Sequence, residues 1–475
     1  MYLLYSLALA VLFILLLPRF IYQAVKHGKY AGSFRQRMGR LPESLASAER
    51  ETIWVHAVSV GEFQAARPLI GRLRREIPDA RVVVSTITLT GQKLARSHCP
   101  KLVDDVFYFP FDFRFAVRRS LMHVRPSLVV ILETELWPNF FRECQQLGAV
   151  TVVANGRISE QSFSRYKRIR PFMKPVLRDV SLLVMQSEAD ADRARSLGAL
   201  AIAMRVCGNL KYEVDIGARH EGRERSSPAD PQLPSSIPSS DLDKQFGLSL
   251  SPHVIVAGST APGEETVLLD ALREVRRLPG LAGARLLIAP RHPERFDEVA
   301  DLIVRSPFTF ARRSQFGYER PTDAGGTDSG VSPPTANATD PQAAEIILLD
   351  TIGELQSAYE YASVVFVGGS LVPRGGHNII EPAACAKPIV VGPHTENFKQ
   401  IVDDFVKADA IVQLSAADDA SAASLANELA RLLSDREAAA RLGNRAYKLL
   451  ESKRGGVECT VAAIKEIFTP RPFSR

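Results

Sequence analysis

Three glutamates stand where apolar runs of the chain give way to polar loops. Glu62 closes His56-Ala57-Val58-Ser59-Val60-Gly61-Glu62, a small-residue turn after TIWVH, and Glu133 and Glu135 follow SLVVIL in Glu133-Thr134-Glu135-Leu136-Trp137-Pro138-Asn139. A carboxylate held at a strand end, beside a glycine that admits close approach, is placed to accept a proton from a substrate hydroxyl. Taken alone, Glu62 also fits a first-turn acid that complements a helix dipole. Glu133 and Glu135 fit either a cap for the next helix or, sharing one face of an extended chain, carboxylates that hydrogen-bond a sugar hydroxyl.

The second half of the chain carries the complementary chemistry. IAPRHPERF puts Arg291, His292 and Arg295 after RLLIAP, cations at a strand end where an anionic ligand would sit. Val367-Gly368-Gly369-Ser370 closes another apolar run, and Arg374-Gly375-Gly376-His377-Asn378 leads into a helix beginning Ile379-Ile380-Glu381-Pro382. Glycines bring the backbone near a ligand, and a helix start offers free N–H groups to a phosphate. Asn378 and Glu381, three residues apart, share a helical face and can reach a ribose or phosphate, or form a capping box. The absence of a GxxxxGK[ST] loop excludes a P-loop nucleotide hydrolase. His377 and His394 lack partners at metal-ligand spacing. Asp190 with Asp192 reads as an exposed helix and Asp241 with Asp243 as linker, and neither pair follows a strand. No metal or other cofactor is therefore expected, and arginines with helix dipoles must neutralise any leaving phosphate.

The elements that must hold these residues are α/β. TIWVHAV, RVVVSTIT, SLVVILE, AVTVVAN and SLLVMQS alternate with helical or loop segments, and HVIVAGST, RLLIAPR, IILLDT, SVVFVGGS, PIVVGP and AIVQL repeat the arrangement. Unbroken β-branched runs fit strands buried on both faces, hence two doubly wound parallel sheets. The fold class expected is α/β, two Rossmann-like domains facing a central cleft, with an N-terminal membrane anchor helix. The expected boundaries are 1–22 for the anchor, 23–213 for the first domain, 214–250 for a Ser/Pro-rich linker or insertion, and 251–475 for the second domain. A second Ser/Pro-rich insertion is expected at 320–342, partly disordered. The last segment, Ala438 to Phe468, reads as helical and able to cross back onto the first half. With 475 residues, 46% hydrophobic and 24% charged, the chain is long enough for two or three domains with real cores.

Charge and cysteine usage narrow the class. Residues 1–50 hold seven Lys or Arg against two acids, so nearly all of the net charge of +6 sits there, and a nucleic-acid partner is not expected. Residues 1–17 carry no charge and span roughly 25 Å as a helix, with Pro18 and Arg19 ending the run. Every side-chain cation follows that stretch, which predicts an uncleaved anchor with the catalytic bulk cytoplasmic. Its alternative is a hydrophobic helix packed onto the domain. Five cysteines with no CxxC pair argue against a disulfide scaffold and for a reducing compartment.

HAVSVGE, TLTGQ, ETELWPN, NGRISE, the segment Tyr166 to Leu177, QSEAD, GNLK, AGST, APRHPER and FVGGS…GGHNIIEPA occur in this order. That series resembles the membrane-anchored 3-deoxy-D-manno-octulosonic acid (Kdo) transferases of lipopolysaccharide assembly, glycosyltransferase family 30. The resemblance runs from the anchor to the last helix and omits the two Ser/Pro-rich stretches. It implies a GT-B enzyme of the inner membrane that transfers Kdo from CMP-Kdo to the 6'-hydroxyl of the tetraacyldisaccharide lipid A precursor, inverting and metal-independent. Carried onto this sequence, Glu62 becomes the catalytic base, with Glu133 and Glu135 beside the acceptor or the base. The donor site falls on Ser259, Arg291, His292, the Gly353-Glu354 turn, Gly369, Asn378 and Glu381, with Lys211 contacting the donor's carboxylate or phosphate. Ser59 and Gly61 border the acceptor, and Arg35, Arg37 and Arg40 are placed to meet its phosphates or anionic lipid. A UDP-N-acetylglucosamine-type transferase of the same fold, and a membrane-tethered protein that binds a sugar nucleotide without turnover, are the other readings.

Overall fold

The computed structural model describes residues 1–27, 31–46, 50–213, 241–316, 340–415 and 422–469. Two compact units emerge, Met1–Asp215 with Lys453–Arg475, and Ile216–Ser452. The first holds a seven-stranded parallel sheet of β1 (Thr52–His56), β2 (Arg81–Thr86), β3 (Asp105–Tyr108), β4 (Leu128–Leu132), β5 (Val150–Gly156), β6 (Leu182–Met185) and β7 (Met204–Val206) in the order β3-β2-β1-β4-β5-β6-β7. The second is also seven-stranded and parallel, with β8 (Val254–Thr260), β9 (Arg285–Pro290), β10 (Phe310–Arg312), β11 (Ile346–Leu348), β12 (Val364–Val367), β13 (Ile389–Val391) and β14 (Val412–Gln413) in the order β10-β11-β9-β8-β12-β13-β14, so that β11 lies between β9 and the edge strand β10. The strand order reverses between β1 and β4 in one sheet and between β8 and β12 in the other. In open α/β sheets, ligands bind outside the strand C-termini at such points.

Burial on both faces explains the unbroken apolar strands. In β1, Ile53 and Val55 pack with helix Val60–Glu76 and helix Gly456–Ile467, while Trp54 points into the opposite layer with Phe107 and Phe140. The Trp54 ring lies 4.9 Å from that of Phe107 and 5.2 Å from that of Phe140. Its indole N–H donates to Ser85 Oγ at 2.7 Å, so the core's largest side chain leaves no polar atom unpaired. The C-terminal helix Gly456–Ile467 belongs to the first unit, where Val457, Val461 and Ile464 join the core.

A disulfide joins Cys207, just after β7, to Cys459 in that helix, with the Cα atoms 5.4 Å apart. This corrects the expectation of reduced cysteines, because residues 252 apart in sequence meet only through the fold. The expected linker 214–250 and insertion 320–342 lie largely outside the described residues. Within them, 241–250 form the helix Asp241–Phe246 and the short turn Leu248–Leu250, with Leu242, Phe246 and Leu248 buried.

The N-terminal anchor also needs correction. Helix Tyr2–His27 runs through Pro18 rather than ending there, and among the described residues no helix is long and apolar enough to cross a membrane. One face of it packs on the first unit: Tyr2 donates to Asp179, Asn139 Nδ2 donates to Ser6 at 3.0 Å, and Phe13 meets Phe113 at 5.3 Å. The other face leaves Leu3 82%, Leu4 71%, Leu7 61% and Leu15 71% exposed.

Candidate active site

In the first unit the motifs gather at the C-terminal edge of the sheet. After β1 the chain turns through Ser59, whose Oγ accepts from Glu62 N at the start of helix Val60–Glu76, with Gly61 exposed beside it. The Glu62 carboxylate folds back, accepting from Val58 N at 2.7 Å and from Ser59 Oγ at 3.3 Å. Gly91 of TLTGQ lies against this turn, since a Cβ there would stand 3.3 Å from the Ser59 carbonyl carbon.

Glu133 follows β4 at φ +57°, a left-handed conformation uncommon for a side-chain-bearing residue. Its Oε1 pairs with Lys211 Nζ at 2.8 Å. Asn155, also left-handed at φ +59°, fixes the lysine's turn by accepting from Leu210 N at 2.9 Å. The ETE and NGR blocks are tied together as Arg157 N donates to Thr134 Oγ1 at 2.8 Å.

Glu62, Glu133 and Glu135 therefore share one neighbourhood. Burial, reinforced by the charges of Glu133 and Glu135, pushes the Glu62 carboxyl up to about 7 against the pull of the Val58 and Ser59 hydrogen bonds. Glu135 is also raised, by burial and by Glu133. Such a cluster has one carboxylate that binds and releases a proton near neutrality, as a general base requires.

Arg35 and Arg40 are exposed, but Arg37 is not the surface cation expected. It is 6% exposed, donates to Ile87 O at 2.6 Å, and lies over the Tyr108 ring at 5.0 Å. Desolvating a guanidinium is tolerable only with such partners, so Arg37 holds the fold rather than a ligand's phosphate.

In the second unit, Ser259, one residue before the end of β8, is left-handed at φ +58°, and β12 leads into the Gly368-Gly369 turn. Gly369 faces His377, whose ring would stand 2.8 Å from a Cβ there. Burial and the nearby charges of Arg291 and His292 hold the His377 imidazole down at about 4, so it is neutral at pH 7. Glu381 is raised by burial, countered by its hydrogen bond from Asn378 and by the charge of Arg291. Arg291, His292, Gly369, His377, Asn378 and Glu381 thus form one group, with Arg291 and His292 exposed. Asn378 Nδ2 donates to Glu381 at 3.3 Å, and its Oδ1 accepts from Ile380 N at 3.0 Å. The helix that follows, Ile380–Ala384, has only five residues, too short for the phosphate-binding dipole expected of it.

Two further expectations change. Arg295 is committed to Glu265 by hydrogen bonds of 2.8 and 3.1 Å, and is not available to an anionic ligand. The Glu354 side chain is engaged by other partners. Its carboxylate pairs with Arg313 at 2.9 Å and accepts from Thr351 Oγ1 at 2.5 Å, leaving the exposed Gly353, at φ +93°, as the free part of that turn. Sequence reasoning passed over Asn155, whose signal was the αL tolerance of Asn in the NGRISE block, and gave His377 no ligand role. Among the described residues no three His, Cys, Asp or Glu side chains are grouped to hold a metal ion.

Residues 32–214 match the family model described as 3-deoxy-D-manno-octulosonic-acid transferase (kdotransferase), and residues 343–449 match the model of glycosyl transferases group 1. The chain is 31% identical over 445 residues to the 3-deoxy-D-manno-octulosonic acid transferase of Haemophilus influenzae, covering 93% of each chain. It is 32% identical to the C-terminal CMP-Kdo binding domain of a protein from Acinetobacter baumannii, a match covering 44% of this chain and 94% of that one, with TM-score 0.35. At the level of fold it is similar to the UDP-GlcNAc 2-epimerase of Neisseria meningitidis, 10% identical, TM-score 0.52, over 88% of this chain and 100% of that chain.

Proposed function

Starting from the 3-deoxy-D-manno-octulosonic acid transferase family of glycosyltransferases, to which this chain belongs, we propose that it moves Kdo from CMP-Kdo to the 6'-hydroxyl of a tetraacyldisaccharide lipid A precursor, with inversion. The observation that carries the reading is the Glu62 carboxylate beside the β1–β4 reversal, raised to about 7 by burial and by Glu133 and Glu135. As the acceptor oxygen bonds to the anomeric carbon, its proton passes to Glu62. The bond from that carbon to the phosphate oxygen breaks, and CMP leaves with the electron pair. A base whose proton affinity matches working pH contributes typically about 10²–10⁴-fold.

CMP departs as a phosphate monoester, so negative charge on the leaving group needs stabilising more than it needs an acid. Arg291 is the exposed cation of the second unit's group, and Ser259, His292, the Gly353-Glu354 turn, Gly369, Asn378 and Glu381 complete the donor site in this reading. Glu354 takes part through its main chain, since its carboxylate is held by Arg313. Lys211 is paired with Glu133, the carboxylate that neighbours Glu62. Ser59 and Gly61 border the acceptor hydroxyl.

The acceptor is a lipid, and the enzyme works at the cytoplasmic face of the inner membrane. Support comes from helix Tyr2–His27, which packs by one face and exposes Leu3, Leu4, Leu7 and Leu15 on the other, next in sequence to the exposed Arg35 and Arg40. An apolar face with cations nearby suits a helix lying in the plane of an anionic leaflet.

The test is CMP release from CMP-Kdo with and without lipid A precursor, with the lipid followed by mass, for wild type and Glu62→Ala. Acceptor-dependent Kdo addition by wild type, and a folded mutant that binds CMP without transferring, support the reading. Transfer by Glu62→Ala at near wild-type rate removes Glu62 as the base, and transfer only from a UDP-sugar removes the donor assignment.

A further inference from the structure

At the first residue of helix Glu264–Arg276 a carboxylate is shut inside the second unit. Glu264 is 0% exposed, and its oxygens are taken up by main-chain N–H groups. Oε2 accepts from Ala261 N at 2.8 Å and Gly369 N at 2.7 Å. Oε1 accepts from Ser370 N and Leu371 N, both at 2.9 Å. Three successive N–H groups of the turn after β12 therefore converge on one internal anion. Convergent main-chain N–H groups are the device by which glycine-rich turns grip phosphate. Here the chain's own side chain fills that place.

The turn is fastened on its other sides too. A Cβ at Gly368 would stand 2.5 Å from Ser259 O and 2.8 Å from Glu264 Oε2. Gly369 O accepts from Gly376 N at 2.7 Å, Ser370 O from His394 N at 2.9 Å, and Ser370 Oγ from Gly392 N at 2.8 Å. Gly369 and the loop bearing His377 and Asn378 thereby hang from the same carboxylate.

We propose that Glu264 is a positioning residue that stands in for a phosphate. It occupies the N–H groups of Gly369–Leu371, so this turn serves as a rigid wall of the nucleotide site, and the donor's phosphate is gripped by side chains, Arg291 foremost. The inference rests on CMP-Kdo being the donor, and extends that reading by removing the glycine turn from the phosphate contacts.

The experiment is hydrogen exchange of the amides at 369–371 in the full chain, with and without CMP, for wild type, Glu264→Gln and Glu264→Asp, alongside KM for CMP-Kdo and kcat. Wild type should be protected before CMP is added and unchanged by it. Glu264→Gln turns an amide NH2 toward N–H donors. It should lose at least about tenfold of that protection and raise the donor KM about tenfold, with kcat within about twofold. Glu264→Asp, which keeps the charge, should recover part of both, and it carries the comparison if Gln at this buried point blocks folding. Protection that appears in wild type only with CMP, or a Glu264→Gln chain with unchanged exchange and KM, overturns the proposal. A wild type that binds no CMP defeats the donor reading instead, while exchange in the free chain still reports whether Glu264 holds the turn.

Discussion

Replacing Glu62 by Gln should make the protein more stable and nearly inactive. The carboxyl sits at about 7 in the folded chain, raised from an ordinary value of 4.5, because burial and two neighbouring carboxylates disfavour its charge. In the unfolded chain it ionises normally, so between about pH 4.5 and 7 the folded state binds the extra proton and stability falls as pH rises. At pH 8 the ionised form carries the whole difference, at most about 3 kcal/mol at 1.36 kcal/mol per unit, and about 2 kcal/mol after discounting for solvent that still reaches the group. Gln keeps the acceptor for Val58 N and removes the charge. Thermal unfolding of the first unit should rise by about 2–4 °C per kcal/mol, hence by several degrees at pH 8, and by little at pH 5, where Glu62 is already protonated. Kdo transfer should fall about 10²–10⁴-fold at pH 8 and by much less at pH 5, where the wild-type base is itself protonated. The assay pairs scanning calorimetry with CMP release from pH 5 to 8. A Gln variant that is less stable at pH 8 than wild type, or whose advantage does not grow with pH, refutes the electrostatic argument whatever happens to the rate.

Three other outcomes are expected. Wild-type kcat/KM should climb with pH through about 7 as Glu62 ionises, and Lys211→Met, by leaving the Glu133 charge uncompensated, should move that limb alkaline by about half a unit in a pH–rate profile. Gly368→Ala should weaken CMP binding at least about tenfold in a titration, because a Cβ 2.5 Å from Ser259 O displaces the turn after β12. Cys459→Ser, or reductant on wild type, should lower the stability of the first unit by about 2–5 kcal/mol in denaturant unfolding and leave the transition of the second unit unmoved.

The central strands were legible because a parallel strand covered on both faces must be apolar throughout, as in β1, β4 and β9. The strands missed, β3, β7 and β10, are all at sheet edges and three or four residues long, with one side lacking a partner and correspondingly little pattern. Glu62, Glu133 and Glu135 could be found as acids at strand ends, and the fold does bring them together. What a linear reading cannot show is which charge is already spent. Arg37, Arg295 and Glu354 look as available in the sequence as Arg291 does, yet each is neutralised or enclosed by residues at least 30 positions away: Ile87, Glu265 and Arg313. Glu264 was overlooked for the same reason, since its four partners are main-chain groups that carry no signature of their own.

The bond between Cys207 and Cys459 has a topological meaning. The chain leaves the first unit after Asp215 and returns at Lys453, so the bridge encloses the whole of the second unit in one covalent ring. The C-terminal helix cannot drift from its berth when that ring unfolds, and a single nick anywhere within the ring leaves both pieces of the first unit tethered. On a nonreducing gel such a nicked chain should run as one molecule, and with reductant as two. The ring is in effect a loop whose two ends are pinned to the unit that carries Glu62.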